Sequence, residues 1–295
     1  TPQQIAGDLS TLGVTIKDPL TGVPFAGNII PATRIHPVSK ALAAFWPAPN
    51  NPADPARNYI ASGSSSVSAN QYLARFDHSL SQRDQLFIRY AFGGSDTKAR
   101  PAYADFAART RDASQGAVIG HTHNFSPNVL NEARLGFTRI AYNQESLLTR
   151  PDFAAAAGLL GVTRDPKFSD VPNVSINGFG GFGTGNSIPY YKTQNNFEFV
   201  DNLMINSGRH TLKAGINLLR RQAQQLVPRT KKGQFTFDAN FAGSPLGDFL
   251  LGLPRQTQLG SSPYVSEAGL RMSDVFGYVQ DDWRVTPWLT LNLGI

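Results

Sequence analysis

A period of two that comes in pairs constrains this chain more than any other feature. From Asn70 to Phe92 the sequence reads NQYLARFDHSLSQRDQLFIRYAF. An extended strand sends successive side chains to opposite faces, so Tyr72, Ala74 and Phe76 share one face while Arg75 and Asp77 share the other. After the short turn Ser81-Gln82-Arg83-Asp84, Leu86, Ile88, Tyr90 and Phe92 line one face with Arg89 opposite. Apolar against charged on both arms describes a hairpin with one greasy and one polar face.

The unit recurs. Gly116 to Asn143 turns at Ser126-Pro127-Asn128, with Ala133, Leu135 and Phe137 alternating against Glu132, Arg134 and Thr138. Asn195 to Arg220 turns at Asn206-Ser207-Gly208-Arg209, between Phe197, Phe199, Leu203 and Ile205 on the way in and Leu212, Ala214, Ile216 and Leu218 on the way out. Ser273 to Ile295 turns at Val285-Thr286-Pro287, and its outgoing arm sets Leu289, Leu291, Leu293 and Ile295 against Thr290, Asn292 and Gly294. The pattern predicts a mainly β chain of about eight strands in four hairpins.

The connections between hairpins differ in kind from the turns within them. They run to roughly 20 residues after Phe92 and roughly 50 after Asn143 and again after Arg220, lengths that compact soluble domains rarely carry. Tight turns alternating with very long loops are the mark of an antiparallel up-and-down transmembrane β-barrel, with short periplasmic turns and long extracellular loops. Arms of about 10 to 14 residues suffice to cross a bilayer at a tilt. The expected division is an extracellular loop region over residues 1–69 and four hairpins with their loops over 70–295. Short helices are expected inside the loops at Val38 to Trp46, Phe153 to Leu160 and Leu246 to Leu251, each too short to stand without packing.

Composition narrows the alternatives. The chain has no cysteine, which excludes disulfide frameworks and thiolate metal sites. No apolar run approaches the length of a transmembrane helix. Its 295 residues carry a net charge of +6, but the basic residues are scattered, the densest group being Arg229, Lys231 and Lys232. Nucleic-acid binding needs a clustered stripe, so these are read as solvated loop positions and no nucleic-acid partner is expected. The chain opens on polar, Pro-containing sequence without an export signal, and its first and last predicted strands lack neighbours. Both features lead to the expectation of a piece of a larger barrel, since an open edge cannot stand in lipid.

Several segments resemble one family, the Oar-like TonB-dependent receptors of the acidobacterial type. They are DPLTGVPFAGNIIPATRIHPVSKALAAFWPAPN (Asp18 to Asn50), NQYLARFDHSLSQRDQLFIRY (Asn70 to Tyr90), NVLNEARLGFTR (Asn128 to Arg139), PLGDFLLGLP (Pro245 to Pro254) and YVQDDWRVTPWLTLNLGI (Tyr278 to Ile295). The resemblance implies a cell outer-membrane barrel of about 22 strands, closed by a plug domain and energised by an inner-membrane TonB complex. This sequence shows no plug, so contact with TonB would fall to a region outside it. A nutrient of the siderophore or oligosaccharide class is the implied cargo, with adhesion or envelope organisation by the same barrel as the alternative.

Chemical motifs point away from an enzyme and from any cofactor. Gly178-Phe179-Gly180-Gly181-Phe182-Gly183 fits GxGxxG, but Thr184-Gly185-Asn186-Ser187-Ile188-Pro189 cannot open the helix that a dinucleotide site needs, and a flexible loop is expected. His121 and His123 share a strand face and make half a metal site; with no third ligand near them in sequence, a polar lumen or rim position is expected. Asp281 and Asp282 point to opposite faces and cannot act as a carboxylate pair. No nucleophile elbow, Walker loop or zinc-protease signature occurs. The expected lumen-facing residues are Arg75, Asp77, Arg89, Glu132 and Arg134, and Tyr278, Trp283 and Trp288 are the expected aromatics of the membrane interface.

Overall fold

The computed structural model describes every residue except 55–56, 102, 228 and 261–266. Long arms form one antiparallel sheet, and the first four are β1 (Ser64–Ser79), β2 (Asp84–Arg100), β3 (Ala108–Ser126) and β4 (Val129–Ser146). Two short strands of a second sheet follow, β5 (Asn173–Ile176) and β6 (Gly180–Phe182). The main sheet resumes with β7 (Tyr190–Ser207) and β8 (His210–Leu226). The second sheet then adds β9 (Gln234–Phe237) and β10 (Gln256–Gln258), and the main sheet ends with β11 (Glu267–Thr286) and β12 (Leu289–Gly294). The eight main strands lie in the order β1-β2-β3-β4-β7-β8-β11-β12, each beside its predecessor. No helix among the described residues is long and apolar enough to cross a membrane.

Register gives the sheet its two faces. Phe76, Ile88, Ile119, Leu135, Phe199, Leu218 and Val275 are successive cross-strand partners from β1 to β11, so one apolar row crosses seven strands. Most of that row is exposed, as a lipid-facing surface requires. A slip of one residue would turn every one of these side chains to the other face, which is why the alternation fixes pairing so strongly.

Seven arms run 16 to 20 residues, longer than the alternating pattern indicates, and the connection after β2 shrinks to residues 101–107. The added lengths lie at the loop end and are wet on both faces. There Asp96 pairs with Arg109, Ser95 Oγ donates to Asp112 at 2.8 Å, and Glu145 takes Arg111 and the Tyr191 hydroxyl, each at 2.8 Å. With no apolar face to keep, these stretches carry no period of two.

The buried core sits in the connections, outside the main sheet. Helices α1 (Pro2–Ile5), α2 (Pro37–Ala43), α3 (Phe153–Ala156) and α4 (Pro245–Leu251) pack with the second sheet, ordered β10-β9-β5-β6, at the loop end. Leu9, Ile16, Ile30, Leu42, Val174, Ile176, Phe237, Leu246, Phe249 and Leu250 form its centre. Pro37 and Pro245 open α2 and α4 at a position where a missing N–H costs nothing, and left-handed Gly252 closes α4. Ser39 Oγ donates to the Phe249 carbonyl at 2.5 Å and ties the two helices together. Phe249 meets Trp46 and Phe237 edge-on, both at 5.3 Å.

The Gly178–Gly183 run is a correction to the flexible loop expected there. It turns between β5 and β6, and Phe182 is only 5% exposed, packed against Phe45, Trp46 and Phe106. Gly183 has φ of 115° with its backbone against Pro172, which no side chain would tolerate. The glycines serve close backbone approach, and the phenylalanine supplies the burial.

Candidate functional site

The polar face of the sheet gathers the charged residues that the alternation singles out. Arg75, Asp77, Arg89, Glu132 and Arg134 all line one open groove of about 620 Å³, together with Gln85, Phe87 and Thr122. Two-residue spacing on a strand puts partners on one face, and both ion pairs use it. Arg75 grips Asp77 with two hydrogen bonds of 2.8 and 2.6 Å, and Arg134 pairs with Glu132. The Arg75 guanidinium also lies 4.6 Å from the centre of the Phe87 ring. Fixed in this way, the guanidinium groups present directed donors into the groove.

Further along, the same face continues as a hydrogen-bonded surface. Asn217 donates to Glu198 at 2.8 Å, Lys213 Nζ to Asp282 at 2.7 Å, and Gln280 to Asp282 at 2.8 Å. Two glycines make room for rings on this face. Gly120 is the cross-strand partner of Phe87, and Gly215 of Tyr278; a Cβ at either glycine would run into the neighbouring ring. A flat aromatic laid over a cross-strand glycine covers backbone that has no side chain of its own.

Tyr278 therefore departs from the expected interface group. Its hydroxyl donates to Asn202 Oδ1 at 3.0 Å, and its register places it with Gln85, Thr122, Glu132 and Asn202 on the polar face. Even numbers in β11 point to that face and odd numbers to the apolar one, a parity that clustering along the sequence does not reveal. Trp283 lies on the apolar face, stacked on His210 at 5.5 Å. Trp288 occupies the turn between β11 and β12 and is 83% exposed. Asp281 and Asp282 separate as their spacing requires, Asp281 towards His210 at 2.7 Å and Asp282 towards Lys213.

A second surface lies where the arms meet the packed connections. A pocket of about 190 Å³ is lined by Glu145, Tyr191, Lys167, Asp170 and Lys232, among others. Lys232 is 2% exposed, which corrects its reading as a solvated loop position. Its ammonium donates to the carbonyls of Gly185 at 3.0 Å and Ile188 at 2.5 Å. Burial lowers its pKa to about 8, opposed by the charge of Asp170. Nothing in the local sequence separates Lys232 from the half-buried Lys231 beside it, whose ammonium lies over the Phe168 ring; only the packing does.

The histidines also acquire the ligand that their neighbourhood in sequence lacks. Asp84 is the cross-strand partner of His123, and its Oδ1 lies 2.6 Å from His123 Nδ1 and 3.1 Å from His121 Nε2. All three are on the apolar face at its turn end, rather than on the polar face.

A sheet with one apolar and one polar face, joined by tight turns at one end and long connections at the other, defines the wall of an outer-membrane β-barrel. The chain belongs to the outer membrane beta barrel domain family, whose profile matches residues 1–295. The fold is similar to the outer membrane transporter YddB from Escherichia coli, with a TM-score of 0.50 and 12% identity over 78% of this chain and 27% of that one. A weaker likeness, to the copper transporter OprC, has a TM-score of 0.41 and 10% identity over 78% of this chain and 30% of that one, too low to carry an argument. The chain thus spans under a third of the length of either structure. No curated protein matches it in sequence. The protein is thus an outer-membrane β-barrel domain, set in lipid.

Proposed function

We propose that the chain supplies wall and extracellular cap to a TonB-dependent receptor of the Oar-like type, which takes up a siderophore or an oligosaccharide. The polar face is then the lumen side, with Arg75, Asp77, Arg89, Glu132 and Arg134 lining the path, and the packed connections face the exterior. The observation that carries this reading is the shared groove of those five residues, four of which are held in two ion pairs, Arg75 with Asp77 and Arg134 with Glu132. Further along the same face Tyr278 adds a ring among hydrogen-bonding groups, a combination suited to a sugar ring or a polar chelate. A plug and a TonB-contacting segment belong to regions outside this chain.

The test is accumulation of labelled oligosaccharides and ferric siderophores by cells producing the complete protein, with and without TonB. TonB-dependent accumulation, reduced by Arg75→Ala with Arg134→Ala, is the expected result. Accumulation no greater than in cells lacking the protein, combined with loss of cell attachment in those cells, would replace this reading with the adhesive one.

A further inference from the structure

At the turn end of the apolar face, Asp84, His121 and His123 form a polar cluster between Ile119 and Phe125, just above the β1–β2 and β3–β4 turns. One ligand atom from each residue lies within 4.8 Å of the other two. A tetrahedral cation with bonds of about 2.0–2.2 Å to nitrogen and oxygen spaces its ligand atoms about 3.3–3.5 Å apart. The Asp84–His distances of 2.6 and 3.1 Å need only a slight expansion to reach that spacing.

The cluster is also held from behind. Ser81 Oγ donates to the second carboxylate oxygen of Asp84 at 2.6 Å, leaving Oδ1 for the histidines. Ser81 is itself fixed, accepting from the backbone N–H of Arg83 and Asp84 at 3.0 and 3.1 Å. The Asn124 N–H donates to the Arg83 carbonyl at 2.8 Å and pins this turn to β3. Phe125 packs edge-on against the His123 ring at 4.4 Å. Outer partners that orient ligands are a regular part of metal sites.

We infer that Asp84, His121 and His123 bind one divalent transition-metal cation of the zinc type, clipping the start of β2 to β3 at the turn-end rim of the barrel. Two imidazoles and one carboxylate suit such an ion better than calcium or magnesium, which prefer oxygen. Three protein ligands leave a further coordination position for water at the membrane surface. The cation also places positive charge beside a carboxylate that the apolar face otherwise leaves among half-buried groups.

The experiment is calorimetric titration of Zn²⁺ into the complete protein, extracted in detergent and stripped with chelator. Wild type is expected to take up one equivalent that His121→Ala, His123→Ala and Asp84→Asn each lose, while His210→Ala and His78→Ala retain it. Ser81→Ala is expected to weaken zinc by about 10-fold or more through the orienting hydroxyl. Unchanged heat-modifiable migration on gels shows that each variant has kept the barrel. A wild type that takes up no zinc at micromolar concentrations, or a folded His121→Ala/His123→Ala variant that keeps its equivalent, overturns the inference.

Discussion

Lys232 makes the stability of the packed connections rise with pH. In the folded state its ammonium is buried against two carbonyls and its pKa falls to about 8, against an ordinary value of 10.5. Between those values the unfolded segment holds a proton that the folded one has released. Stability increases with pH wherever the unfolded state binds more protons, by 1.36 kcal/mol per unit at most. From pH 7.5 to 9.5 the increase comes to about 2 kcal/mol once the partial titration at each end is included. The neutral amine can still donate to both carbonyls, so no hydrogen bond is lost on the way. Trp46, half-buried against the core of the cap, gives a fluorescence signal for its unfolding in urea once Trp283 and Trp288 are replaced by Phe. The urea midpoint of that signal should move upward from pH 7.5 to 9.5, and Lys232→Met should abolish the movement. A wild-type midpoint that stays flat or falls over this range would refute the reasoning.

Three further outcomes follow from the faces and the core. Phe249→Ala should destabilise the cap by about 3–5 kcal/mol, read as urea unfolding of the Trp46 signal, while the heat-modifiable migration of the barrel stays unchanged. Ile119→Arg, in the middle of the apolar row, should cost about 2–4 kcal/mol in barrel unfolding from lipid, and Thr122→Arg on the polar face should cost far less. Equal losses at the two positions would contradict the assignment of faces. Gly120→Val should crowd the Phe87 ring and cost about 1–3 kcal/mol, and adding Phe87→Ala should recover part of that loss, measured as a double-mutant coupling.

What could be read from the sequence follows from where water lies. Residues such as Ala133, Leu135 and Phe137 alternate with Glu132, Arg134, Gly136 and Thr138 because one side of the sheet meets lipid, so such arms and their turns were legible. Beyond the apolar band, Ser95–Arg100 and Ala108–Asp112 are strand without that contrast, and only the ladder with the preceding arm reveals them. The second sheet escaped for a different reason. β5 is four residues and β6 three, and the parallel pairing of β5 with β9 joins segments from separate connections, so no local pattern announces it. The five groove residues were legible because same-face spacing on a strand is a local property. Asp84 as the partner of His121 and His123 was not, since it depends on the register between β2 and β3.

The parallel pairing of β5 with β9 has a consequence for biogenesis. The main sheet buries little of its own surface, so its apolar rows gain their favourable environment only on entering lipid. The cap, by contrast, has a water-excluding core, but it draws that core from residues before β1, between β4 and β7, and between β8 and β11. Those stretches are brought together by the intervening arms. A hairpin inserted two residues out of step would still satisfy its alternation, yet it would displace Phe237 from Ile176 by some 7 Å along the strand direction. The cap core as described therefore closes only over arms paired in this register.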